Sequence, residues 1–170
     1  MSMAEKIVSI TKGLPDHLAP VFAQFNLEVR DAAGVYLHTP EITALAQAAS
    51  GSQAEFNFVP HPGPFARGIH VTVQGHAQRP IKTPELLEAL REFYRGRPFV
   101  RVAAEMPHVK DVASSNYAFI SGAANGSTIA VMCVIDNLVK GAAGGAMQWL
   151  NRLFGFDETT GLIAPAPGWT

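Results

Sequence analysis

Several short stretches of this chain carry residue types able to do chemistry. In Tyr36-Leu-His-Thr-Pro-Glu41, His38 stands just before a helix start and Glu41 lies one turn further on. A histidine so placed can present its ring to a cleft with the carboxylate orienting it. From the residues alone the stronger reading is a partly buried loop residue, with Glu41 serving only the helix dipole. In Pro60-His-Pro-Gly-Pro-Phe-Ala-Arg-Gly68, His61 and Arg67 bracket a loop whose prolines lower the entropy lost on fixing it. The Arg67 guanidinium suits a planar carboxylate or phosphate, which it can grip through two parallel hydrogen bonds. The alternative is an arginine that pins the loop to a backbone carbonyl. Gly68 permits close backbone approach at a strand start.

The run Val134-Ile-Asp-Asn-Leu-Val-Lys-Gly-Ala-Ala-Gly-Gly-Ala-Met-Gln-Trp-Leu-Asn151 reads as a buried strand, a polar turn and a helix opened by small residues. Asp136 or Asn137 can cap that helix. Its small residues let a phosphate-bearing ligand or a packed domain approach the helix N-terminus closely, though on physical grounds alone a tight helix–sheet contact is the stronger reading. Lys140, one turn in, opposes the helix dipole and is expected to have a specific partner. His70 and His76 share strand parity but lie too far apart to chelate one ion alone. No second carboxylate falls at ligand spacing, so no metal site is expected. Cys133, inside Ile129-Ala-Val-Met-Cys-Val-Ile135, has no basic neighbour and reads as a small buried hydrophobe rather than a nucleophile.

The elements that must position these residues follow from pattern. Strands are expected at Lys6–Thr11, Leu27–Val29, Ala54–Val59, Gly68–Gln74, Phe99–Val102, Asn116–Ser121 and Ser127–Ile135. A short helix is expected over Asp16–Phe25. Thr39-Pro40-Glu41 starts a helix to about Ala49, with Thr39 as cap. Thr83-Pro84-Glu85 repeats the signal, and Leu86, Leu87, Leu90, Phe93 and Tyr94 form its apolar stripe. The period of two puts Ile69, Val71 and Val73 on one face of a half-buried strand. The Asn125-Gly126 step predicts a hairpin, and the last helix is expected from about Asn137 to Phe154. The sum is one α+β domain over residues 1–170, a mixed, largely antiparallel sheet with helices packed on one face.

Composition narrows the function classes. The 170 residues are 48% hydrophobic and 16% charged, with a formal charge of −1. That is a globular chain with a large interior, some of whose apolar surface a partner subunit can cover. It has no basic footprint for nucleic acid and no stretch of membrane-spanning length, and the cytoplasm is its expected location.

In order along the chain, His38-Thr-Pro-Glu-Ile42, Phe58-Val-Pro-His61, Arg67-Gly-Ile69, Ser115-Asn-Tyr117, Val134 to Gly144 and Thr159-Thr-Gly-Leu162 stand at characteristic spacing. From about Gly34 to Leu162 the chain resembles the C-terminal, substrate-binding and dimerisation domain of N-acetyl-γ-glutamyl-phosphate reductases. These belong to the semialdehyde dehydrogenase superfamily and serve arginine biosynthesis. The resemblance implies NADPH-dependent reduction of an acyl phosphate to a semialdehyde, by way of a cysteine thioester. It gives His38 a role in proton transfer and places His61, Arg67 and Glu41 on the substrate side. Asn137, Lys140 and Gly141 then border the NADP cofactor. The implied partners are a second copy in a homodimer, a Rossmann domain, and a small acyl-phosphate or carboxylate ligand.

Three features depart from that pattern. No glycine-rich dinucleotide fingerprint follows a strand. No cysteine precedes His38, and Tyr36 stands where the family usually has a histidine. The chain by itself is therefore expected to be catalytically incomplete, with no tight cofactor binding of its own. The alternative is a non-catalytic dimerising or scaffolding relative that binds a partner chain. A stand-alone enzyme using His38, His61 and Arg67 for proton transfer is a third reading.

Overall fold

The computed structural model describes residues 38–51 and 63–167. The expected elements before His38, the strand at Ala54–Val59, Tyr36 and His61 lie outside the described residues. The chain divides into two compact units, Met1–Pro62 and Gly63–Thr170.

In the first unit, α1 spans His38–Ser50 with Glu41 in its first turn. Thr39 is therefore the second residue of the helix rather than its cap. The end comes where a helix with this sequence should stop. Gly51 takes a left-handed φ of +68°, and its amide donates to Gln47 O at 2.9 Å, which satisfies a terminal carbonyl.

The second unit is a four-stranded mixed sheet, β1 (Ile69–His76), β2 (Val100–Val102), β3 (Ala118–Asn125) and β4 (Thr128–Ile135), in the order β1-β4-β3-β2. The β1/β4 and β3/β4 pairs are antiparallel, and β2/β3 is parallel. The hairpin forms one residue later than the Asn-Gly step alone indicates, since Asn125 pairs with Thr128 and Gly126-Ser127 make the turn. Gly126 has φ +61° and Ser127 is not left-handed. That is a mirror-image two-residue turn with glycine first, which suits the sheet's right-handed twist.

Helix α2 (Thr83–Phe93) covers one face of the sheet. Leu86 and Leu87 are buried, and Leu86 lies over Gly122, where a Cβ would come within 2.9 Å of Leu86 Cδ2. Thr83 does not cap α2; Lys82 holds that position. Instead the Thr83 hydroxyl accepts from Ala124 N at 3.0 Å and donates to Ala124 O at 3.4 Å. This ties the helix start to the end of β3. The stripe frays at its far end, where Phe93 is 77% exposed. On the opposite face Ser121 and Val134 are buried, and Ser121 Oγ donates to Ala104 O at 3.4 Å. The chain following β2 therefore crosses that face, through a 3-10 turn at Val109–Asp111.

Two expectations change. The strand expected to be half-buried, β1, is exposed on both faces, with Val73 at 61%. It is an edge strand beyond the reach of α2, so alternation set its parity without giving it a cover. The last helix does not begin as an α-helix at Asn137. A π-helical turn spans Val139–Ala143 and α3 proper runs Gly144–Leu153. Gly141 N donates to Asp136 O at 2.9 Å and Ala143 N to Leu138 O at 3.0 Å, the five-residue spacing of a widened turn.

Candidate functional site

The turn between β4 and the π-helix organises the second unit. Asp136 ends a strand whose preceding inward residue, Val134, is fully buried, and its own side chain is 0% exposed. An ionised carboxylate in that position must be surrounded by donors. Oδ1 accepts from Arg67 Nη2 at 2.9 Å, Leu138 N at 2.9 Å and Val139 N at 2.7 Å. Oδ2 accepts from Ser114 N at 2.6 Å, while Arg67 Nε lies 2.6 Å from it as an ion contact rather than a hydrogen bond. Burial alone would raise the Asp136 pKa. The Arg67 guanidinium and the amides of Val139, Ser114 and Leu138 outweigh it and lower the pKa to about 2.

The next residue closes the same turn from the other side. Asn137 Oδ1 accepts from Gly68 N at 2.6 Å. Gly68 has φ +116°, and a Cβ there would sit 2.2 Å from Val109 Cγ1. Close approach is therefore what this glycine provides. Ser114, at φ 60°, is the one non-glycine residue with positive φ among the described residues. Its amide points at the carboxylate because the loop adopts that backbone.

A second network begins one helical turn on. Lys140 Nζ donates to Gln148 Oε1 at 2.6 Å and lies 5.5 Å above the Phe99 ring. Asn116 Nδ2 donates to the same Gln148 oxygen at 3.0 Å, and Gln148 Nε2 donates to Glu158 Oε1. Burial lowers the Lys140 pKa, and the charge of Glu158 works against that.

The structure brings together only part of the set expected from sequence. Arg67 and Asn137 meet at Asp136. Lys140 belongs to the separate network with Gln148. A Cβ built on Gly141 would meet Asp136 O and Ile135 only at ordinary van der Waals distance, so no close approach there requires glycine. His38 and Glu41 stand on α1, in the other unit, and His61 is outside the described residues. Sequence reasoning weighed Asp136 only as a cap and overlooked Ser114, Gln148 and Glu158. The Lys140–Gln148 spacing of eight residues on one helical stretch was the signal available.

The expected anion site at the helix start does not fit this arrangement. The leading amides, those of Leu138 and Val139, already face the Asp136 carboxylate, so a negative group built into the chain occupies the place a phosphate would take. Asn137 Nδ2 keeps an unused donor among the described residues. Cys133 is half-buried, and burial raises its pKa, the opposite of what an activated thiolate needs. Among the described residues no group of three metal-ligating side chains occurs, and no helix is long and apolar enough to cross a membrane.

Helix α3 packs inside-out. Gly144 and Asn151 are its buried residues, and a Cβ on Gly144 would fall 2.5 Å from Asn116 Oδ1. Trp149, Leu153, Phe154 and Phe156 face outward, Leu153 at 78% exposure.

Residues 28–137 match the family described as semialdehyde dehydrogenase, dimerisation domain. The chain is 43% identical over 146 residues to N-acetyl-gamma-glutamyl-phosphate reductase of Symbiobacterium thermophilum, covering 84% of this chain and 42% of that protein. It is 42% identical over 137 residues to the Dehalococcoides mccartyi protein of the same name, covering 78% and 40%. The Methanosarcina barkeri protein of that name is 40% identical over 131 residues, covering 76% and 39%. The chain thus spans about two fifths of the length of these curated relatives. Among solved structures, aspartate semialdehyde dehydrogenase II of Vibrio cholerae gives a TM-score of 0.42 at 22% identity, over 52% of this chain and 27% of that one. At that level the likeness decides nothing further.

Proposed function

The chain belongs to the semialdehyde dehydrogenase dimerisation-domain family, and we propose that it is the C-terminal, substrate-binding and dimerisation part of an N-acetyl-γ-glutamyl-phosphate reductase-like protein. The observation that carries this reading is the pairing of roughly 40% identity to reductases of that name with two apolar surfaces exposed among the described residues. One is the β1/β4 part of the sheet, where Ile69, Val71 and Val73 share a face. The other is the outer side of α3.

In this reading a second copy covers the sheet face and a nucleotide-binding domain covers α3. The assembled protein reduces an acyl phosphate to a semialdehyde in the cytoplasm, with NADPH supplying the hydride when bound. His38 moves the proton at the carbonyl oxygen, and Glu41 and His61 contribute to the substrate side. Arg67, already matched to Asp136, acts as a positioning residue for the start of β1 rather than as a free carboxylate clamp. Of the three groups assigned to the cofactor, Asn137 retains a donor for it through Nδ2. The helix start itself holds no cofactor phosphate.

Sedimentation of the chain tests the dimer. It is expected to sediment as a dimer at micromolar concentration, and Val73→Asp, which places a charge on the shared apolar face, is expected to yield monomer. A dimer unchanged in Val73→Asp would move the interface elsewhere.

A further inference from the structure

Beside the C-terminal end of α2 lies a cavity of about 400 Å³, within the size range of small-molecule sites. Lys140, Phe93 and Tyr94, each singled out in the sequence for other reasons, meet at it. One wall is apolar and aromatic, formed by Tyr94, Pro98 and Phe99 as the chain leaves α2 and enters β2. The facing wall comes from the π-turn, α3 and its tail and carries Lys140, Gln148, Arg152 and Glu158, while Arg97 joins from the aromatic side. Arg97, Lys140 and Arg152 line the space against a single carboxylate, Glu158, in a chain whose overall charge is −1.

The state of each charge matters more than the count. Glu158 is committed: one oxygen accepts from Gln148 and the other lies 3.7 Å from Arg152. Gln148 is fixed in orientation, because its oxygen accepts from both Lys140 and the buried Asn116 while its nitrogen donates to Glu158. That leaves Lys140 half-buried and bonded to a neutral amide, in direct ion contact with no carboxylate among the described residues, the Glu158 charge acting on it from beyond Gln148. Arg97 likewise contacts none among them. A lysine removed from water over an aromatic ring, which shares the Glu158 charge with Arg152 and meets it only across an amide, can take a further anion from outside.

We propose that this cavity binds a small organic anion, a phosphate or carboxylate carried on an apolar body of about ring size. The anion meets Lys140 and Arg97, and the body lies against Tyr94 and Phe99. The site needs only residues of the second unit, so it stands or falls independently of the reductase reading.

Titration calorimetry on the full chain with phenyl phosphate, benzoate, inorganic phosphate and benzyl alcohol tests it. Phenyl phosphate, benzoate or both are expected to saturate, each more tightly than inorganic phosphate or the alcohol, and the two arms tell which anion the cavity prefers. Lys140→Met should weaken the better ligand by about tenfold or more, as expected for loss of a charge-assisted contact. Arg97→Gln, at an exposed position that does not bear on folding, should weaken it several-fold. Arg91→Gln, on α2 away from the cavity, should leave affinity unchanged. No saturation by either ring-bearing anion overturns the proposal. So does equal binding of inorganic phosphate, or an affinity indifferent to Arg97→Gln.

Discussion

Asp136 joins segments that are far apart in sequence: the loop before β1, the loop before β3 and the start of the C-terminal helix. Its role as a local cap was legible, because an Asp-Asn pair before a helix has few other uses. Its partner Arg67, 69 residues earlier, was not, since nothing in a single sequence marks which distant cation a carboxylate meets. Replacing Asp136 by Ala leaves the guanidinium without its counter-charge and three amides without an acceptor. The expected cost is about 3 kcal/mol or more in urea unfolding, as for breaking a buried pair from one side. The same residue sets an acid limit. Its folded pKa of about 2 lies below the ordinary 3.8, so the stabilisation is fully present above about pH 4 and is lost as pH falls towards 2. The total is roughly 2.5 kcal/mol at 1.36 kcal/mol per pKa unit. Urea midpoints between pH 5 and 2 should fall for the wild type and flatten for Asp136→Ala.

Among the elements, those whose signal is local were readable from the chain. The glycine of the β3–β4 turn, the proline-led start of α2 and the Leu86-Leu87 core contact all rest on near neighbours. The cover of β1 and the π-turn were not readable, because burial depends on what packs above a strand and a widened turn depends on the contacts at its flanks. Gly144 shows the limit of propensity. An exposed helical Gly→Ala change ordinarily stabilises by up to about 1 kcal/mol. Here the new methyl meets Asn116 Oδ1 at 2.5 Å and Val139 O at 2.9 Å. Gly144→Ala is therefore expected to destabilise by about 1–3 kcal/mol, with thermal unfolding as the measure. A rise in melting temperature would mean that α3 shifts away from Asn116 freely.

For the molecule as a whole, the ordered motifs carried more than any physical pattern, and the chain belongs to the semialdehyde dehydrogenase dimerisation-domain family that they pointed towards. The site remained only partly legible because the expected residues divide between two units, His38 and Glu41 in one and Arg67, Asn137, Lys140 and Gly141 in the other. The chain spans about two fifths of its curated relatives, and residues 1–170 contain no dinucleotide fingerprint. Incubated alone with an acyl phosphate and NADPH, it is expected to leave absorbance at 340 nm, the usual reduced-nicotinamide band, no different from a protein-free control. Oxidation above that control would favour a self-sufficient enzyme.

The inverted packing of α3 bears on how the free chain can be studied. Its native state already displays the kind of apolar surface that hydrophobic dyes report in partly unfolded proteins. Dye fluorescence is then high before any unfolding begins, and a melt followed by such a dye starts from a raised baseline. Far-UV and near-UV dichroism, which read backbone order and aromatic packing directly, are the signals that separate this folded but uncovered chain from a molten one.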